Sequence, residues 1–122
     1  DDVGLDALRA RHAKRVEAAR RDTPTEAPVE VRMRGARRSM EMFAAGDVLT
    51  YEVLRDEADA LDIDVSSCAY ADLMASLDAP ELGHLMLCSE DHVLVARAGT
   101  RLERTQTRME GATHCDFRFR AG

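Results

Sequence analysis

The chain has 122 residues and a mass of 13.5 kDa, with 45% hydrophobic and 33% charged residues and a net charge of −6. That size suits one domain with one hydrophobic core, and the composition excludes a disordered chain. No apolar run approaches the roughly 20 residues of a membrane span and no signal peptide opens the sequence, so no membrane partner is expected.

The 17 basic residues comprise 16 Arg and one Lys. Arg9, Arg11, Arg15, Arg20 and Arg21, and then Arg32, Arg34, Arg37 and Arg38, alternate with apolar residues as a solvated helix face does. There is no Trp, and Phe and Tyr total five, three plus two. Stacking platforms for bases are therefore scarce, and nucleic acid is not an expected partner. The core must come from Leu, Val, Ala and Met. Cys68, Cys88 and Cys115 are an odd set at wide spacing without a CxxC pair, which points to free thiols in a reduced, cytoplasmic protein.

In chain order, residues 3–21 read as an amphipathic helix with Leu5, Leu8, His12, Val16 and Ala19 on one stripe. His12 there is either a hydrogen-bonded packing residue or a catalytic one. Pro24 and Pro28 break the connection 22–28. A second helix is predicted over 33–45, with Met33, Arg37, Met40, Phe43 and Ala44 inward and Gly46-Asp47 closing it. A third is predicted over 50–61, with Thr50 as N-cap and Val53, Leu54, Ala58 and Leu61 inward.

From Asp62 the period becomes two. Ile63, Val65, Ser67 and Ala69 alternate with polar residues and Cys68, as in a half-buried strand. Residues 71–77 read as a short helical turn, and Pro80 opens a helix to about residue 97 that Gly99 stops. Arg101–Met109 and His114–Arg120 then alternate around a turn at 110–113, a β-hairpin signal. The expectation is a single α+β domain over 1–122: 1–61 mainly helical, 62–122 carrying a small antiparallel sheet, a helix and the site.

On the second hairpin strand Cys115, Phe117 and Phe119 share one face, and Asp116, Arg118 and Arg120 the other. A turn centred on Gly111-Ala112 sets Arg108 opposite Cys115 and turns Arg104 and Gln106 inward; a three-residue loop brings in Thr105 and Thr107 instead. A buried Arg104 needs a carboxylate or an anionic ligand, whereas the alternative is a face of solvated arginines. On the helix, His84, Cys88 and Asp91 stand at i, i+4 and i+7. They are metal ligands, a thiol with a base, or a buried inert cysteine beside a capping Asp. Three thiols meeting between strand, helix and hairpin could bind zinc or supply a nucleophile.

CAY (68–70), PEL (80–82), CSED (88–91), RTQT (104–107), Gly111 and CDFRF (115–119) together resemble the L-2-amino-thiazoline-4-carboxylic acid hydrolase family. The resemblance covers about 65–120, and RTQT followed by a glycine turn and CDFRF is its most specific part. It implies a hydrolase cleaving a C–N or C–S bond in a small cyclic amidine; the named reaction opens a 2-aminothiazoline carboxylate to N-carbamoyl-cysteine. It implies a fold similar to vinyl-reductase-type small-molecule-binding domains, often a homodimer. It also carries over Cys68, Cys88, Asp91, Arg104, Thr105, Thr107, Cys115 and Asp116 as functional positions. Two departures stand out: Asp78 replaces a usual glycine, and Arg108 an apolar residue. If Arg108 faces the pocket, it favours a different or more anionic substrate.

The working mechanism makes Cys115 the nucleophile, with Cys88 able to exchange roles and Cys68 supporting. Asp91 is the general base or orienter, Arg104 the carboxylate anchor, and Thr105 or Thr107 the donors to the intermediate. Gln106, Asp116 and Arg118 complete the substrate-binding set, and His84 or His92 is the candidate proton carrier. No cofactor is expected. The rival reading is a non-catalytic small-molecule-binding domain whose cysteines form a structural zinc site, and a third is an interaction protein that docks through helix 3–21.

Overall fold

The computed structural model describes residues 2–22 and 26–121. It is α+β, with four antiparallel strands in the order β1-β2-β4-β3 and helices packed on one face. Helix α1 spans Asp2–Asp22 and α2 spans Val29–Ala45; the middle of the connection between them, Pro24 included, lies outside the described residues. Pro28 is the N-cap of α2 at φ −53, the angle a proline ring imposes. The recurrence of Met33, Ala36 and Met40 buries one stripe of α2 against the sheet, whereas Arg37 turns outward to Asp56.

The predicted third helix at 50–61 does not form. Leu49–Glu57 is strand β1, and Ala60–Cys68 is β2, joined by the two residues Ala58-Asp59. Thr50, Tyr51 and Val53 favour strands, and the helical spacing of Val53, Leu54, Ala58 and Leu61 was coincidental. Beyond Tyr51 every residue of β1 is exposed, so no burial period marks it as a strand. The ladder slips between Thr50 and Tyr51 and again between Val53 and Arg55, leaving Leu54 unpaired. Such irregularities on an edge strand discourage pairing with another chain.

Strand β2 carries the core. Leu61, Ile63 and Val65 stand opposite Phe119, Phe117 and Cys115 of β4 (Cys115–Arg120) on the inward face. With Met33, Met40 and Leu102 they form one buried cluster. Fully burying each such side chain contributes about 1.5–3 kcal/mol. The outward face is polar, with Arg120 paired to Asp62 at 2.6 Å and Arg118 to Asp64 at 3.0 Å.

Helix α3 (Ala69–Ser76) ends at Leu77-Asp78, and Asp78 has φ +54. That left-handed conformation gives a physical reason for a glycine at this position. From Pro80 the helix runs to Arg97 as α4 (Pro80–Gly83), a π turn (His84–Cys88) and α5 (Glu90–Arg97). Helix α1 packs on α5 through Val16 and Ala19 against Val93 and Ala96, and Arg15 forms a two-pronged pair with Glu90 at 2.9 and 2.8 Å.

The C-terminal hairpin is present but is looser than predicted. Strand β3 is only Arg101–Glu103, and its ladder stops at Glu103↔Arg118. Arg108 therefore has no strand partner opposite Cys115. The cause is Asp116, whose carboxylate takes the backbone N–H groups of Thr105 and Gln106, both at 2.9 Å, and the Thr105 hydroxyl at 2.5 Å. These bonds peel the chain out of the sheet into a loop closed by a 3₁₀ turn at Arg108–Glu110.

Candidate active site

A cavity of about 400 Å³ lies between the inward face of β4 and helices α2 and α5. Cys68, Cys88, Cys115, Asp91 and Arg104 all line it, set in an otherwise largely apolar wall. The sequence brings them together from five places: the end of β2, the π turn, the start of α5, β4, and the segment after β3.

Arg104 is the most enclosed of the ionic groups, with its side chain 3% exposed. Nη1 donates to Asp91 Oδ2 at 2.9 Å, Nη2 donates to the Cys88 carbonyl at 2.8 Å, and the guanidinium sits 5.0 Å over the Phe117 ring. The expectation of an inward Arg104 with an internal carboxylate thus describes the structure. The π turn prepares one of these contacts. Ser89 N–H reaches back to the His84 carbonyl at 2.8 Å and His92 N–H to Ser89 at 3.2 Å, and the Cys88 carbonyl accepts from Arg104. Such turns often mark functional sites because they free backbone groups and re-aim side chains.

The same turn separates residues that an ideal helix would align. His84 faces Glu110 at 3.1 Å, while Cys88 and Asp91 face the cavity. One extra residue in a turn rotates everything beyond it by about 100°. Neither His84 nor His92 lines the cavity. Burial lowers both imidazoles' pKa values, that of His92 to about 4. His12 on α1 is half-buried and also lies away from the cavity.

Burial dominates the electrostatics of the thiols. It pushes Cys88 up to about 12, against the pull of the Arg104 cation. Cys115 is also raised by burial, opposed by the Arg108 backbone N–H, which donates to Sγ at 3.1 Å, and by Arg104. Asp91 is raised by burial too, although Arg104 opposes this through charge and a hydrogen bond. Only Asp91 Oδ2 is bonded to Arg104; Oδ1 has no hydrogen-bond partner among the described residues.

Thr105, Gln106, Thr107, Asp116 and Arg118 do not line the cavity. Thr105 and the Gln106 backbone serve the Asp116 turn, which leaves the Asp116 carboxyl below its usual range through hydrogen bonds that outweigh burial. Thr107 is buried, donating to Glu110 and capping the 3₁₀ turn through Glu110 N–H. The Gln106 amide meets His114 at 3.3 Å, and Arg118 joins Asp64 on the outer sheet face. Arg108 also stays out of the cavity, bonding the Ala112 carbonyl at 3.0 Å, and its Nε is buried without a partner. Among the described residues, no group of three or more His, Cys, Asp or Glu side chains is placed to hold a metal ion.

Sequence reasoning missed the apolar wall that α5 gives the cavity, notably Leu94. The signal was available: Asp91, Leu94, Val95 and Ala98 recur at three- and four-residue steps and all face the cavity. No helix among the described residues is long and apolar enough to cross a membrane.

Residues 4–119 match the family model of L-2-amino-thiazoline-4-carboxylic acid hydrolases. Comparison with curated proteins and with solved structures gave no match.

Proposed function

Because this chain belongs to the L-2-amino-thiazoline-4-carboxylic acid hydrolase family, we propose that its cavity hydrolyses a small cyclic amidine bearing a carboxylate. The observation that carries the reading is the pairing of Arg104 and Asp91 beside the Cys115 thiol in one largely apolar cavity. A 2-aminothiazoline-4-carboxylate has a basic amidine and an acid group. Its protonated amidine matches Asp91 and its carboxylate matches Arg104, so the pair can receive both without leaving a buried charge alone.

The chemistry then runs in two halves. Asp91 takes the Cys115 thiol proton as Sγ adds to the amidine carbon, and the ring C–S bond breaks with the departing sulfur taking that proton. Water next adds to the same carbon, giving its proton to Asp91, and the Cys115 sulfur leaves and is reprotonated. The product is N-carbamoyl-cysteine and the enzyme thiol is restored. A carboxyl raised by burial suits the proton-transfer role better than an ordinary one. Cys115 is the better candidate nucleophile than Cys88, which burial holds at about 12. Cys68 and Cys88 complete the wall around the reacting carbon. Three free thiols suit a reducing, cytoplasmic compartment.

Incubating the chain with 2-aminothiazoline-4-carboxylate and following N-carbamoyl-cysteine by mass spectrometry tests this reading. The alternative is a non-catalytic small-molecule-binding domain, favoured by the neutral state that burial imposes on Cys88 and Cys115. It predicts retention of the intact ring acid without product.

A further inference from the structure

The cavity is larger than the chemistry requires. Water takes up about 30 Å³ in the liquid, and a ring acid of about nine non-hydrogen atoms fills roughly four to five times that. The cavity holds about 400 Å³. Its floor is the inward face of β4, where Cys115, Phe117 and Phe119 alternate. At a rise of about 3.3 Å per residue, Cys115 and Phe119 lie about 13 Å apart along the strand. A thiazoline ring spans only part of that length.

The two ends differ in character. The ionic groups sit with Cys115 and Phe117: Arg104 is over the Phe117 ring and bonded to Asp91. Toward Phe119 the lining is apolar, with Ala36, Leu94, Val95 and Ala98 among its residues, since α5 leads through Thr100 into Arg101 opposite Arg120. Phe117 and Phe119 stack with ring centroids 5.7 Å apart and form a continuous aromatic floor between the two ends. Leu94 is 57% exposed, which leaves a large apolar group uncovered at this wall. A ligand that filled only the ionic end would leave that surface in water.

We propose that the substrate of this chain carries an apolar substituent, branched or aromatic, on its charged ring. The ring sits at Arg104 and Asp91, and the substituent lies along Phe119 toward Leu94. The proposal rests on the hydrolase reading for the identity of the head group, but the apolar subsite stands on the cavity alone.

Calorimetric titration of the full chain tests it, using 2-aminothiazoline-4-carboxylate and its 5-methyl, 5-propyl and 5-benzyl derivatives. Product formation is measured in parallel. Each buried methylene is expected to tighten binding about fourfold, and Leu94→Gln is expected to shrink that increment. Binding of the unsubstituted acid as tightly as its derivatives would overturn the subsite, even if that acid is hydrolysed. Tighter binding of the derivatives with no product from any of them upholds the subsite and sinks the hydrolase reading. No binding by any member of the series overturns both.

Discussion

The Arg104 guanidinium, only 3% exposed, donates to Asp91 Oδ2 at 2.9 Å, and Asp91 is 35% exposed at the cavity wall. This one contact ties the segment after β3 to the start of α5. Removing one partner of a buried pair strands the other charge, while a half-exposed partner is partly rescued by water. Arg104→Met is therefore expected to destabilise the chain by about 2–4 kcal/mol, read as a lower urea midpoint with unchanged slope. Arg104→Lys keeps the charge but cannot hold Asp91 and the Cys88 carbonyl together while stacking on Phe117. It is expected to recover only part of the loss.

The histidines set an acid limit on stability. The folded pKa of His92 is about 4, below the 6.5 of an unperturbed imidazole. The unfolded chain then binds a proton that the native state refuses, so this contribution is complete above pH 6.5. It is lost as pH falls from 6.5 toward 4, and His84 acts in the same direction. The slope of stability between pH 7 and 4.5 should flatten in His92→Gln, worth about 1–2 kcal/mol after allowing for partial exposure. Urea unfolding at several pH values measures it; equal slopes in both proteins count against the assignment.

Thiol reactivity follows from burial. With its pKa pushed up to about 12, Cys88 is almost wholly protonated at pH 8. Alkylation by iodoacetamide, followed residue by residue by mass spectrometry, should be slow at Cys88 and rise about tenfold per pH unit through pH 10. Cys115, raised by burial but touched by the Arg108 N–H and by Arg104, should ionise at lower pH than Cys88, read as the pH at which its own alkylation rate levels off. The reverse order would show that Cys88, not Cys115, is the thiol to test as nucleophile.

Much of this was legible in the sequence because it is periodic. The stripe of Met33 and Met40 and the alternation of Ile63 and Val65 gave α2 and β2, and the inward set Cys115, Phe117 and Phe119 gave the cavity floor. Strand β1 was not legible, since its residues beyond Tyr51 are exposed on both faces and carry no burial pattern. The π turn was not legible either, because backbone bonding rather than side-chain spacing separates His84 from Cys88. In the RTQT segment only Arg104 reaches the cavity; Asp116, a single carboxylate, draws Thr105 and Gln106 out of the sheet.

Asp78 offers a test of backbone strain. Its φ of +54 is a conformation that glycine adopts without steric cost. Asp78→Gly relieves that strain while making the unfolded chain more flexible, and the two effects nearly cancel. It is expected to change stability by less than about 0.5 kcal/mol, whereas Asp78→Val should cost about 1–2 kcal/mol. Thermal unfolding separates the pair, and equal losses in both would place the effect in the lost carboxylate instead.

The measurement that bears most directly on the proposed function is the initial rate of N-carbamoyl-cysteine formation from 2-aminothiazoline-4-carboxylate. It is compared between the unaltered chain and Cys115→Ser, with folding of the variant checked by circular dichroism. Product is expected from the unaltered chain, with a fall of at least about a hundredfold in the folded variant. Unchanged turnover in Cys115→Ser, or no product from the unaltered chain, would contradict the proposed function.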